Sequence, residues 1–219
     1  MKKIALMAAL GLFVASCSSD KGAEATTSEA QEVKSTEGSE SISLDAGSTV
    51  AWRGFKTFVQ SEHRGTVNVQ DGTFDVAEGK LVGGTITMDM TSITCTDLED
   101  EGKRGYLEDH LKSQDFFFVD SFPTVTFEIV EVLDSSEVTK YNTVTGNLTM
   151  RGTTNSITFP AEVMVSDEGV KFMAPPFSID RTLWGVKYHD REDASIAETL
   201  KENLIDHFIE LSIKVKATK

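Results

Sequence analysis

The sequence predicts an all-β protein, an antiparallel barrel or sandwich with one or two short helices. Three observations predict it. Apolar residues recur at every second position through about eight segments beyond residue 42, and a period of two places one strand face in an apolar interior and the other in water. Turn residues separate these segments, among them Asp71-Gly72, Glu78-Gly79, Asp134-Ser135-Ser136 and Asp167-Glu168-Gly169. Helical spacing is confined to two short stretches. Strands with few helices and no repeat period fit a barrel or a sandwich, and about eight long strands enclose an interior that either fills with side chains or holds one small ligand.

The first element lies outside that fold. Lys2 and Lys3 precede an apolar run, Ile4 to Ala15, which closes on Val14-Ala15-Ser16-Cys17. A membrane span needs about 20 apolar residues, so this shorter run reads as a secretory signal. Small residues ending at a cysteine resemble the bacterial lipobox. The resemblance implies that residues 1–16 are removed and that Cys17 becomes an acylated N-terminus. That makes it a lipid anchor to the bacterial cell envelope, expected at the outer membrane with the protein periplasmic or surface-exposed. Each buried acyl CH₂ contributes about 0.8 kcal/mol, so two or three chains hold stably. Residues 17–41 then form an acidic tether. Ser18 to Glu40 has no aromatic residue, and Asp20, Glu24, Glu29, Glu32, Glu37 and Glu40 stand against Lys21 and Lys34. Such a segment buries too little apolar area to offset the entropy of ordering, so a disordered spacer is expected.

Residues 42–219 are the expected domain. Thr49–Phe58 and Gly65–Ala77 open it. Gly72 shifts the apolar parity from Val67 and Val69 to Phe74 and Val76, which predicts a β-bulge or sharp bend. Ile86, Met88 and Met90 alternate with Thr85, Thr87 and Asp89. Thr96 to Lys112, with Leu107 and Leu111 four apart, reads as a loop and a short helix. Val125, Phe127 and Ile129 form the next strand, then Val144, Leu148 and Met150, then Ile157 to Val165, then Val170–Ile179. Ser195 to Asn203 reads as a second short helix, with Glu198 at the capping-box position. Ile209, Leu211, Ile213 and Val215 close the chain.

Charge and motifs exclude several functions. Lys and Arg total 21 against 35 Asp and Glu, a net charge of -14. Nucleic-acid phosphates require clustered basic residues, so no nucleic-acid partner is expected. The same balance argues against docking on anionic lipid through a basic face. There is no Gly-x-Ser-x-Gly, His-Glu-x-x-His, Cys-x-x-Cys or phosphate-cradling glycine loop. His63, His110, His189 and His207 are scattered, and none pairs with another at ligand spacing, so no metal site is expected. His189 reads as part of a solvated polar loop. Cys95 has no neighbouring His or Cys and reads as structural or incidental. No catalytic residue is assigned, and the chain is not expected to be an enzyme.

Three segments stand out. His110 to Phe127 carries Phe116, Phe117, Phe118 and Phe122, a candidate plug for one barrel end. Val144 to Thr154 turns between strands at Arg151-Gly152. Phe177 to Val186 places Asp180 and Arg181 beside Trp184, as a structural ion pair or as the polar mouth of a ligand cavity. Together with His63-Arg64-Gly65, these segments resemble the YceI-like family in family order: His110 to Phe117 with Phe122-Pro123, Gly146 to Thr153, and Phe177 to Gly185. Leu183-Trp184 departs from the usual residues there, and Lys187 to Lys201 has no counterpart in the pattern.

The resemblance implies an eight-stranded antiparallel, lipocalin-like barrel with a long apolar channel for a polyisoprenoid or other long-chain lipid. The expected ligand is an isoprenoid quinone, an isoprenyl phosphate or a fatty amide or acid, with no resident cofactor. Its tail is expected among Val125, Phe127, Leu148, Phe159, Leu211 and Ile213, with Phe116, Phe117, Phe177 and Trp184 around the channel. Arg181 and His63 are expected near the head group, with pairing of Arg181 to an acid as the alternative. Rival functions are a filled barrel that serves as a structural or protein-interaction module, a lipid head-group hydrolase using His63 or His110, and a partner of an envelope or quinone-linked redox protein.

Overall fold

The computed structural model describes residues 21–135, 140–190 and 202–219. The expected leader, Cys17 and most of the second expected helix lie outside the described residues. The strands are β1 (Ala23–Glu24), β2 (Thr26–Glu29), β3 (Glu40–Ser43), β4 (Thr49–Lys56), β5 (Glu62–Ala77), β6 (Lys80–Cys95), β7 (Thr124–Leu133), β8 (Asn142–Met150), β9 (Thr153–Ser166), β10 (Gly169–Asp180) and β11 (Ile205–Thr218). Helix α1 (Glu101–Lys112) lies between β6 and β7, and a 3₁₀ turn, Arg181–Trp184, follows β10.

Strands β4 to β11 close an eight-stranded barrel. Each pairs antiparallel with the next, and β11 pairs back onto β4. The barrel alternative is therefore the correct one. Strand β5 outruns β4, and β3 completes the wall by pairing Glu40–Ser43 with Thr73–Val76. The parity change at Gly72 is a bulge, with a register shift between Val69 and Asp71. It is not a turn, because β5 runs on through Asp71-Gly72. At φ +155° a Cβ on Gly72 would lie 2.2 Å from the Thr85 carbonyl oxygen, so only glycine fits. Glu78-Gly79 and Arg151-Gly152 are true two-residue hairpin turns with both residues at positive φ, the backbone twist that tight hairpins prefer.

The inward faces meet in a close-packed core. Phe159 stacks on Phe177 with ring centroids 4.2 Å apart, Phe127 approaches Phe159 at 5.5 Å and Phe74 approaches Phe172 at 5.7 Å. Val125, Phe127, Leu148, Phe159, Phe177 and Ile213 are all buried. A lumen wide enough for a lipid chain would leave accessible surface on these rings, so this part of the interior is filled by side chains. The expected channel along these residues is corrected accordingly.

The expected disordered tether also needs correction. Strand β10 carries Pro175-Pro176, which offer no N–H to a ladder, and its register shifts there. Its pairing with β9 covers only Gly169–Met173. Beyond that point the wall opens, and the N-terminal segment fills the seam: β1 pairs parallel with Phe177-Ser178 and β2 pairs antiparallel with Asn155–Thr158. Ala25 is only 4% exposed and its N–H donates to the Ser178 carbonyl at 2.8 Å. The Gly22 N–H donates to Glu210 at 2.6 Å, and Lys21 pairs with Asp206 at 2.6 Å. A Cβ on Gly22 would lie 2.1 Å from the Pro176 oxygen. The Asn147 side chain exchanges two hydrogen bonds with the Gln31 backbone, 2.9 and 2.7 Å. Main-chain pairing orders this strap, and main-chain pairing needs no apolar composition.

Candidate functional site

The connections β4–β5, β6–β7, β8–β9 and β10–β11 emerge at one end of the barrel, and that end holds an apolar-walled cavity of about 340 Å³. Trp52, Gly54 and Phe55 of β4 form one wall and His63 of β5 adjoins them. Tyr106, Leu107, His110 and Leu111 of α1 with Phe116 form the roof, and Tyr188, His189, Asn203 and Ile205 close the far side. Helix α1 is seated by its own chemistry. Asp100 caps it by accepting from the Lys103 N–H at 2.8 Å, and Leu107 and Leu111, one turn apart, pack toward the core.

Aromatic edges rigidify the roof. His110 meets Phe116 at 5.0 Å and Tyr188 at 4.8 Å, both edge-on, and its Nε2 lies 3.0 Å from Asp115. Burial, reinforced by the Asp115 charge, raises the Tyr188 hydroxyl above its usual range, so it stays a neutral donor. The Arg151 guanidinium donates to the carbonyls of Phe116 and Gly185, tying the β8–β9 turn to both neighbouring connections. The indole N–H of Trp52 is enclosed and has no hydrogen-bond partner among the described residues. A buried donor left unmade costs about 1–3 kcal/mol.

Beside the cavity, His63 Nδ1 lies 2.9 Å from Asp97, and Asp97 also accepts the Arg64 N–H at 2.7 Å and the Cys95 thiol at 3.2 Å. Burial would raise the Asp97 carboxyl, but these three donors prevail and hold it at about 2.

Of the expected site residues, His63 and Phe116 line the cavity. Phe117 is half-buried against the core. Leu211 belongs to a separate concavity of about 240 Å³ beside Arg53 and Arg64. Arg181 does not face a ligand. It is 1% exposed and donates to the backbone carbonyls of Asp206 (2.9 Å), Val186, Tyr188 (3.0 Å) and Ile205 (3.2 Å). Asp180 meanwhile caps the 3₁₀ turn through the Thr182 N–H. Trp184 is fully buried and donates to the Leu148 carbonyl at 2.9 Å. Both residues anchor the β10–β11 connection from inside. His189, expected in a solvated loop, stacks on Tyr188 at 3.9 Å and helps form the cavity wall.

A model of the YceI-like domain matches residues 43–217. The chain belongs to the YceI-like family. The barrel of this YceI-like chain is similar to Burkholderia cenocepacia BcnA, at 19% identity over 80% of this chain and 100% of that one, TM-score 0.54. It is also similar to a polyisoprenoid binding domain from Saccharophagus degradans implicated in plant cell wall breakdown, at 13% identity over 81% and 98%, TM-score 0.55. The Campylobacter jejuni YceI protein matches at 21% identity over 75% and 90%, TM-score 0.50. In sequence, the UPF0312 protein SA2479 of Staphylococcus aureus (strain N315) is 44% identical over 55 residues, 25% of this chain and 28% of that protein's length. The cavity residues that sequence reasoning missed include Trp52, Phe55, Tyr106, Leu107, Leu111, Tyr188 and Ile205. Trp52 shares inward parity with Val50, and Gly54 next on that face leaves room beside it; that pattern was the available signal.

Proposed function

We propose that this protein binds a long-chain isoprenoid or other lipid as a non-enzymatic binding protein, with the head and first chain segment seated at the helix-capped end of the barrel. The observation that carries this reading is the cavity walled by Trp52, Phe55, Leu107, Leu111, Phe116 and Ile205 and edged by His63, Tyr106 and His110. Its volume is at the lower end of the roughly 300–1,000 Å³ usual for small-molecule sites, which suits a head group and the start of a chain. Removing about 200 Å² of apolar chain from water contributes roughly 5 kcal/mol before the costs of association. A head-group oxygen that reached the Trp52 N–H would complete an otherwise unmade hydrogen bond. Membership of a family with a polyisoprenoid-binding relative supports the ligand class. Cys17 serves as the acylated anchor to the cell envelope, at the outer membrane.

Protein isolated gently from its own host should carry one lipid per chain in native mass spectrometry. Ligand-free protein should take up an isoprenoid quinone, an isoprenyl phosphate or a fatty amide, and Leu107→Arg should weaken that uptake at least tenfold. The filled core favours one alternative, an interaction module of the envelope. Absence of both co-purified lipid and uptake would select it.

A further inference from the structure

Beyond the lipid site, the β5–β6 ladder assembles three side chains of different chemistry. Gly65 pairs with Cys95 across the two strands, which brings His63 over the end of β6. The His63 ring nitrogen, the Cys95 Sγ and an Asp97 carboxylate oxygen all lie within 4.8 Å of one another. His63 Nδ1 lies 2.9 Å from Asp97 Oδ2, and Cys95 Sγ lies 3.2 Å from the other oxygen, Oδ1. Zinc bonds of about 2.0–2.3 Å at tetrahedral angles put such donor atoms about 3.3–3.6 Å apart. Donor atoms that all lie within 4.8 Å of one another are thus within about 1.5 Å of the spacing one ion requires.

Neighbouring groups orient the three side chains. The Cys95 N–H is held by Glu108 of α1 at 2.8 Å, and Asp97 is oriented by the Arg64 N–H at 2.7 Å. Outer contacts of this kind fix ligand orientation and carry a share of metal affinity. The His63 and Asp97 side chains are 39% and 20% exposed, and His63 also lines a surface concavity with Leu98, Gly102 and Tyr106.

We propose that His63, Cys95 and Asp97 bind one Zn²⁺, with a water completing the tetrahedron. Thiolate, imidazole and carboxylate are all zinc ligands, and three protein ligands with water in the fourth position is the arrangement of open zinc sites. Binding forms the Zn–S bond, breaks the S–H bond and releases that proton to solvent.

The test uses the full chain carrying Cys17→Ser, which leaves Cys95 as the sole thiol. Titration with Zn²⁺ should show one equivalent bound and a raised melting temperature. Co²⁺ should give a thiolate charge-transfer band. Cys95→Ser should abolish the band, and His63→Ala and Asp97→Asn should each weaken Zn²⁺ at least tenfold. Circular dichroism of the half-exposed His63→Ala variant guards against misfolding as the cause. No binding by the folded protein, no thiolate band, or Zn²⁺ binding unchanged by all three substitutions overturns the proposal. Lipid uptake is read separately, so either result leaves the lipid reading where it stood.

Discussion

Replacing Arg181 by methionine separates a structural staple from a head-group contact. The guanidinium is almost fully buried and spends its donors on four backbone carbonyls, two just beyond the 3₁₀ turn and two at the start of β11. Burial lowers its pKa, and the nearby charges of Asp190, Asp180 and Asp206 act in the opposite direction. Hydrogen bonds from a charged donor contribute about 1.5–3 kcal/mol each, so four set an upper bound near 6–12 kcal/mol. Removing the buried charge recovers part of its desolvation cost, and the bonds to Tyr188 and Ile205 are only part-buried. A net loss of about 3–5 kcal/mol follows. With an m-value of about 2 kcal/mol per M, the urea midpoint should fall by about 1.5–2.5 M. Equilibrium urea denaturation followed by tryptophan fluorescence measures it. A midpoint within about 0.5 M of wild type, accompanied by weakened lipid uptake, would refute the staple and restore the head-group role.

Other perturbations should behave as follows. Phe159→Ala removes a ring stacked in the filled core and should cost about 3–5 kcal/mol in the same assay; a loss below about 1 kcal/mol would mean that the lumen is open. For Asp97 the carboxyl is depressed from 3.8 to about 2. The resulting stability is present above the unfolded value and lost as pH falls through the folded one. Wild type should exceed Asp97→Asn by about 2 kcal/mol at pH 7, a margin that should close between about pH 5 and pH 1; a constant margin would contradict the assignment. Hydrogen exchange should protect the Ala25 amide while those from Glu32 to Glu37 exchange freely, and equal rates across the two would dissolve the strap. A steric block to lipid belongs at the mouth, as in Leu107→Arg, because Ala161 in mid-barrel is already enclosed on all sides.

The barrel was legible because alternation reports burial directly. Ile86, Met88 and Met90 read as one inward face, and all three are buried. What remained hidden depended on partners distant in sequence. Nothing beside Cys95 announces His63, which arrives through the ladder. The strap went unread because composition counts side chains and the seam pairs backbone, although Pro175-Pro176 inside a strand marked where a ladder had to open. Arg181 was visible as an unusual charge beside Trp184, but its carbonyl acceptors lie in connections that carry no pattern. The cavity arises where α1 settles over β4 and β5, a packing outcome that no single segment encodes.

The docked strap also bounds where a membrane would lie under the proposed acylation of Cys17. Lys21 sits at the rim, its ammonium 4.9 Å from the Phe55 ring centroid and paired with Asp206, and Phe55 is itself a cavity wall. Fully extended chain covers at most about 3.6 Å per residue, so the proposed acyl anchor at Cys17, four residues before Lys21, would be held within about 14 Å of that rim. A free spacer over residues 17–41 would instead let the barrel wander about 25–30 Å from its anchor in any orientation. Such a short leash would turn the helix-capped end toward the bilayer, and Phe58, Val59, Tyr106 and Leu183 stand exposed at that end. On the proposed anchoring, a lipid leaving the leaflet would enter the cavity beside the acyl chains that hold the protein, with little water to cross.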